Sequence, residues 1–211
     1  SRRREVSFMN NDAGWIAAPV PGTAAQALEN AGQSTPDVLA SLQARHIWYR
    51  CPAVWQGTRR LRFDSLAPHC EIYLGDRLVH VAKSMFDPVE IDLESDGKTE
   101  LYLHFKPLTA ETVTASPKRQ RWRPHLVASP HMRNARATLF GHMPGWCPAI
   151  QPVGPNGQVE IILDGEVTAS GARVRTWLEG TTGNVEISIK ISGVEGDLVA
   201  SCWSGAAPMT R

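Results

Sequence analysis

Val20-Pro21-Gly22-Thr23 begins the stretch that decides the fold, and Trp48-Tyr49-Arg50 ends it. Between them, residues 24–30 form an apolar-polar run that is long enough for about two turns of helix. Thr23 is placed to cap the start of that helix, and Gly32 lies just past its end. Short strand-like runs dominate from there onward. The order therefore predicts a β-sandwich that is entered through a helical, bracing arm.

Several short runs alternate between apolar and polar residues with a period of two, which places one face of each strand in a core and the other in solvent. These runs are Leu61–Asp64, Cys70–Leu74, Val89–Leu93 and Leu101–Phe105. Gly75-Asp76 and Asp96-Gly97 are typical of tight turns between such strands. The spacing predicts an all-β, antiparallel sandwich or jelly roll.

Residues 106–150 interrupt this rhythm. They are rich in Pro, His, Arg and Trp and have no sustained period. We interpret them as a long excursion with one strand near Ala137–Phe140. Loops of this length in a compact domain are usually functional or disordered.

A second β-rich segment follows Gly154-Pro155-Asn156-Gly157. Its predicted strands are Val159–Ile161, Ala172–Trp177, Val185–Ile191 and Leu198–Trp203. Four strands resemble half of an immunoglobulin-like sandwich, which typically has about seven strands. We therefore predict two domains, a jelly roll over residues 1–153 and the start of an immunoglobulin-like sandwich over residues 154–211, and we expect the chain to be truncated.

Composition narrows the function classes. The net charge of +1 gives no electrostatic reason to expect a nucleic-acid partner, and the sequence holds no apolar run of membrane-spanning length. Cys51, Cys70, Cys147 and Cys202 are widely spaced and form no C-x-x-C pair. This pattern favours reduced thiols and, weakly, a reducing compartment such as the cytoplasm. Histidines 125, 131 and 142 fit no zinc signature, so we predict neither a metal nor a cofactor.

The ordered motifs resemble the N-terminal region of family 2 glycoside hydrolases, particularly the β-mannosidase-like members. The matching elements are Val20-Pro21-Gly22-Thr23, Pro36-Asp37, Trp48-Tyr49-Arg50, Leu74-Gly75-Asp76, Phe86-Asp87-Pro88 and Thr99–Phe105. The resemblance implies a galactose-binding-like jelly roll, then an immunoglobulin-like sandwich, and then a catalytic (β/α)8 barrel outside this chain. The barrel and a β-mannoside or related glycoside are thus the implied partners.

One loop departs from the family pattern. The β-mannosidase branch carries an R-K segment followed by F-G-W-D-W-G-P, whose Trp and Asp reach toward the sugar. The corresponding residues here are 133–136 and 140–148, in which Trp146 and Pro148 match but the Asp is missing. Mannose recognition by that Asp cannot be transferred to this chain. The predicted substrate-binding residues are Trp146, His142 and Arg136.

No catalytic residue is predicted. Glycoside hydrolysis usually needs two facing carboxylates, whereas the acidic residues here mostly alternate with apolar ones on strands, as solvent-face residues do: Glu71, Glu90, Asp92, Glu160 and Glu186. The family's acid/base Glu follows an Asn, and this chain has no Asn-Glu pair.

Tryptophan side chains are candidates for sugar binding by stacking. Trp122 and Trp146 lie in the excursion, where an aromatic face could stack on a sugar ring. For Trp122, within the basic run of residues 116–123, packing is favoured, and for Trp146 sugar contact and a structural plug are equally favoured. Trp15, Trp48, Trp55, Trp177 and Trp203 are expected to pack in the core or between domains.

Three functions remain open from the sequence. The first is a non-catalytic, carbohydrate-binding and scaffolding N-terminal region of a β-mannosidase-like enzyme, inactive by itself. The second is a stand-alone carbohydrate-binding module. The third is a structural or protein-binding sandwich, in which an exposed edge strand favours a homodimer.

Overall fold

The computed structural model describes residues 5–8, 14–109, 125–127, 130–162, 168–193, 203–204 and 207–208. Two compact units make up the chain, residues 1–162 and residues 163–211. Trp122, the basic run, Cys202 and most of the strand predicted at Leu198–Trp203 lie outside the described residues.

The helical arm of the first unit starts as its sequence predicts. Helix α1 spans Ala24–Asn30, and the Thr23 side chain accepts a hydrogen bond from the backbone N–H of Gln26 at 3.4 Å. Helix α2 spans Pro36–Ala40, and Thr35 caps it in the same way. A single 3-10 turn, Leu42–Ala44, then leads into the strands. Capping hydroxyls satisfy N–H groups that a helix start otherwise leaves unpaired.

Most strands of the first unit form a six-stranded sheet. Its members are β1 (Glu5–Phe8), β2 (Ile16–Ala17), β3 (Ile47–Pro52), β5 (Cys70–Leu74), β6 (Arg77–Ala82) and β8 (Glu100–Phe105), in the order β2-β1-β3-β8-β5-β6. Every pairing is antiparallel. The Gly75-Asp76 turn joins β5 to β6, and Gly75 adopts a φ of 58°, which favours glycine.

A three-stranded sheet forms the second layer. It consists of β4 (Gln56–Phe63), β7 (Val89–Asp96) and β9 (Val159–Ile162), in the antiparallel order β7-β4-β9. Inward-facing residues of both sheets, such as Phe63, Leu93, Ile72 and Phe105, belong to one buried core. Burial of each such side chain contributes about 1.5–3 kcal/mol. The predicted antiparallel β-sandwich is thus present.

The first unit extends further along the chain than the sequence predicts. Strand β9 pairs with β4, with Ile161 opposite Leu61. Upstream of β9, the backbone of Val153 and Gly154 also bonds to Ala24 and Ala67. The boundary expected between residues 153 and 154 therefore lies inside the first unit, which ends at Ile162. Val159–Ile161 is a strand, as predicted, but it belongs to the first sandwich.

The strand expected near Ala137–Phe140 is absent. Arg136, directly before this segment, makes an isolated β-bridge to Ser84. Residues 130–134 form a 3-10 helix, and Met132 is buried against Leu108. This small cluster is separate from the main core. Packing in it, and not pairing with a strand, holds the segment in place.

The second unit contains a long hairpin, β10 (Thr168–Glu179) and β11 (Thr182–Ser192). Two short strands, β12 (Trp203–Ser204) and β13 (Ala207–Pro208), pair with each other. The two predicted strands, 172–177 and 185–191, lie inside β10 and β11. The assignment of this unit to an immunoglobulin-like sandwich stays a prediction.

Candidate functional site

The loop that the sequence singles out, here called the rim loop, spans residues 140–150. Backbone hydrogen bonds close it on itself, since Trp146 N and Cys147 N both donate to the carbonyl of Met143, at 3.1 and 3.3 Å. The carbonyl of Pro148 accepts from Ile150 N at 2.8 Å. The rim loop is therefore a defined, folded segment.

Gly141 brings the two ends of the rim loop together. Its φ is +83°, and a Cβ at this position would lie 2.7 Å from the carbonyl oxygen of Ile150. The Gly141 N–H also points to the Cys147 sulfur at 3.3 Å. Only a residue without a side chain allows so close an approach of two backbone segments.

Trp146 belongs to the rim loop and is 75 % exposed. Phe140 and Ile150, also exposed, belong to the same loop. A large aromatic side chain that is this exposed leaves ring surface free for a ligand.

His142 points the other way, into the protein. Its Nε2 lies 2.5 Å from the Gln43 side-chain oxygen. Burial, with a further contribution from the charge of His131, lowers the pKa of His142 below its ordinary value. A half-buried imidazole that already bonds to Gln43 suits a structural role better than contact with a ligand in solvent.

Gln43 connects the rim loop to the helical arm. Its side-chain nitrogen donates to the carbonyl of Pro152 at 3.2 Å, and its backbone N–H donates to the Gln151 side-chain oxygen at 2.8 Å. Its own carbonyl accepts from Leu108 N at 2.6 Å. Sequence reasoning missed Gln43, because a lone glutamine before a strand carries no motif.

Arg136 is held by a different part of the chain. Its guanidinium donates to the Ser84 hydroxyl and to the Asp87 carboxylate, both at 3.1 Å. The structure thus places His142 and Trp146 on one loop and ties Arg136 to residues 84–87.

A polar cluster lies on the outer face of the six-stranded sheet, where Trp48 stacks on His104 with ring centroids 4.0 Å apart. The sequence predicts that Trp48 packs in a core or between domains, and here its half-buried ring lies against His104. Glu71, expected on a solvated face, is 13 % exposed at its side chain and accepts from Lys106 Nζ at 2.6 Å and Tyr73 OH at 2.8 Å. Burial alone would raise the pKa of Glu71, but hydrogen bonds from Lys106, Tyr73 and His104 hold it below its ordinary value.

His104 links this carboxylate to a second histidine. Its Nδ1 is 3.1 Å from the Glu71 carboxylate, and its Nε2 is 2.8 Å from His46 Nδ1. Because the carboxylate can only accept, a neutral His104 donates from Nδ1, and its Nε2 accepts from His46. Burial lowers the pKa of His104, although the bond with Glu71 opposes that shift. Glu71, His104 and His46 thus pair with one another, whereas the buried Nε1 of Trp48 has no hydrogen-bond partner among the described residues.

The described ranges contain neither a metal-binding cluster nor a membrane-spanning helix. There, no three or more His, Cys, Asp or Glu side chains gather in a way that could hold a metal ion. The described helices are too short and too polar to cross a bilayer.

Residues 5–157 match the family described as glycosyl hydrolase 2 galactose-binding domain-like. No curated protein matches the sequence.

Solved structures share the fold at low sequence identity. A β-D-mannosidase from Dictyoglomus thermophilum superposes with a TM-score of 0.70 at 17 % identity, covering 90 % of this chain and 25 % of that enzyme. A GH2 β-galacturonidase from Eisenbergiella tayi, bound to galacturonate, gives a TM-score of 0.51 at 15 % identity, covering 90 % of this chain and 28 % of that enzyme. The chain thus spans about a quarter of the length of either enzyme.

Proposed function

Because the chain belongs to the family of glycosyl hydrolase 2 galactose-binding-like domains, we propose that it is the non-catalytic, carbohydrate-binding and scaffolding N-terminal region of a β-mannosidase-like enzyme. The catalytic carboxylates then belong to a barrel outside these 211 residues. Support comes from the extent of the fold likeness, which reaches 90 % of this chain but 25 % of the mannosidase.

The observation that carries the sugar-binding part of the proposal is the exposure of Trp146 on a folded loop. A side chain that plugs a core is buried, whereas Trp146 is 75 % exposed. An aromatic face of this size can cover the apolar face of a pyranose ring while the ring hydroxyls stay hydrated. Trp146 is therefore the proposed sugar contact.

His142 and Arg136 have different roles in this proposal. Both side chains already hydrogen-bond within the protein, His142 to Gln43 and Arg136 to Asp87. We assign His142 to the support of the loop. Contact of Arg136 with sugar stays a prediction, because its partner Asp87 would have to be exchanged for the ligand.

Titration of the chain with mannose, galactose, glucuronate and their oligomers tests the binding proposal. We expect weak binding, at millimolar concentrations or below, that falls about tenfold in Trp146→Ala, equivalent to about 1.4 kcal/mol. Trp177→Ala is the matched control, since Trp177 is also an exposed tryptophan but lies on the hairpin of the second unit. Equal binding by Trp146→Ala and the unchanged chain would contradict the proposed site.

Hydrolysis provides the complementary test. We expect the chain alone to release no phenol from aryl β-mannosides. Turnover that disappears when one of its own carboxylates is replaced would overturn the non-catalytic assignment.

The binding-module and protein-interaction hypotheses remain as alternatives. The hairpin of the second unit supports the latter, since exposed apolar residues share one of its faces: Val174, Leu178, Val185, Ile187, Ile189 and Ile191. A two-stranded hairpin is marginally stable by itself, so such a face is normally covered. The homodimer expected from the sequence stays a prediction.

A further inference from the structure

Gln43 bonds to chain segments near both ends of the rim loop. Its side-chain oxygen faces His142 near the start of the loop, and its side-chain nitrogen faces Pro152 after the loop's end. Gln43 is 3 % exposed and lies on the 3-10 turn of the helical arm. We propose that Gln43 is the positioning residue that holds the rim loop, and with it Trp146, in place for sugar; this role rests on the proposed function.

The hydrogen-bond directions around Gln43 are determined by its neighbours. The carbonyl of Pro152 can only accept, so the amide nitrogen of Gln43 faces it and the amide oxygen faces His142. His142 must then carry its proton on Nε2 and donate. The lowered pKa of His142 agrees with a neutral ring.

No other side chain can make the same pair of bonds without loss. Methionine has a similar length but leaves the His142 N–H and the Pro152 carbonyl unpaired. Glutamate retains an acceptor for His142 but places a second acceptor against the Pro152 carbonyl. Gln43→Met therefore removes the side-chain bonds to both His142 and Pro152, and Gln43→Glu removes the one to Pro152, while the backbone bond from Gln43 to Gln151 remains.

The bonds of Gln43 near both ends of the rim loop should favour ligand binding. A loop that is fixed before the ligand arrives does not lose conformational freedom on binding, so less of the interaction energy is spent on ordering. The bonds of Gln43 act on Trp146 only through the loop backbone. Gln43 is thus a positioning residue and does not touch the sugar.

Fluorine NMR of the chain labelled with 5-fluorotryptophan tests the positioning role, with Trp146→Phe identifying the Trp146 resonance. We expect Gln43→Met to move this resonance by more than its linewidth, and Gln43→Glu to move it less. The resonances of Trp48 and Trp55 should stay in place, which shows that the sandwich is folded. Gln33→Met is the matched control, because it makes the same change at an exposed position outside the rim loop. A Trp146 resonance that is equally unmoved in the Gln43 and Gln33 variants would overturn the proposal.

A measurement on the unchanged chain keeps the proposal testable if the Gln43 variants do not fold. The nitrogen-15 shifts of His142 at neutral pH report which ring nitrogen carries the proton. We expect the Nε2–H tautomer, and finding the Nδ1–H tautomer would refute the bond to Gln43.

The two proposals fail in different ways. If the Gln43 variants move the Trp146 resonance but Trp146→Ala binds mannose and glucuronate as before, Gln43 positions the loop and the sugar contact is wrong. If Trp146→Ala loses binding while the Gln43 variants retain both the resonance and the affinity, the sugar contact holds and the positioning role is wrong.

Discussion

Replacement of Gly154 by alanine should strongly destabilise the first unit. Gly154 has a φ of +136°, and a Cβ there would lie 2.4 Å from the hydroxyl oxygen of Tyr49 and 3.0 Å from its Cζ. Tyr49 is buried and cannot move away easily. A backbone conformation that essentially only glycine adopts costs an alanine about 1–3 kcal/mol. Overpacking against a buried ring adds about 1–3 kcal/mol more.

The expected loss in the free energy of unfolding is therefore about 2–6 kcal/mol, out of the roughly 5–15 kcal/mol typical of a domain. Urea unfolding followed by tryptophan fluorescence measures it, in a background in which Trp177 and Trp203 are phenylalanine so that the signal comes from the first unit. The midpoint should fall while the slope stays unchanged.

Two further variants separate the causes. Gly145 also has a positive φ, +82°, but has no atom within 4 Å of its Cβ position, so Gly145→Ala should lose only the backbone part, about 1–2 kcal/mol. Tyr49→Phe removes the closest atom, so the double variant with Gly154→Ala should recover part of the loss, a coupling of about 0.5–3 kcal/mol. A Gly154→Ala loss no larger than that of Gly145→Ala, or strict additivity with Tyr49→Phe, would refute the steric reasoning.

Two other predictions concern charge. Arg136→Ala should lower the free energy of unfolding by less than about 1 kcal/mol, because its ion pair with Asp87 is solvent-exposed, with side chains 64 % and 63 % exposed. Urea unfolding measures this loss, and a larger value would contradict the treatment of the pair as a surface ion pair. Burial lowers the pKa of His69, His104 and His142 from the ordinary value of 6.5. Below pH 6.5 these histidines bind protons more readily in the unfolded chain than in the folded unit. The free energy of unfolding is therefore highest above that pH and decreases as the pH falls toward the lowered pKa values of the folded state. Urea midpoints at pH 7.5 and 5.5 should show this decrease, and His142→Gln, whose amide can still donate to Gln43, should make it smaller; a midpoint that rises on acidification would contradict the shifts.

The sequence predicts where most helices and strands of the first unit lie along the chain, but not which strands pair with each other. Thr23 and the residues after it predict α1, and period-two alternation predicts β5, β7 and β8. Alternation identifies which face of a strand is buried, but it does not identify the neighbouring strand. Thus β7 and β8, joined by the turn at Asp96-Gly97, belong to different sheets, and β9 returns to pair with β4.

The candidate site could be predicted only where a motif marks it. The family pattern draws attention to Trp146, and its exposure in the structure agrees with a surface role. The same region predicts His142 and Arg136 as sugar contacts, but the structure shows both engaged with protein partners. Those partners, Gln43 and Asp87, are far away along the chain. Such pairs depend on tertiary packing that no local pattern encodes.

The helical arm and the chain segment that follows the rim loop are joined by hydrogen bonds. After the loop, the chain runs alongside the arm: Gln151 N donates to the carbonyl of Leu39, and Ala24 N donates to the carbonyl of Val153. Gln43 adds the side-chain bonds between these two contacts. The arm that the sequence suggests as a brace for the sandwich therefore also supports the loop. Since α1 and α2 are too short to be stable alone, the loop geometry depends on the same core burial that holds the arm on the sandwich. A core substitution beneath the arm should disturb Trp146 without touching the loop itself.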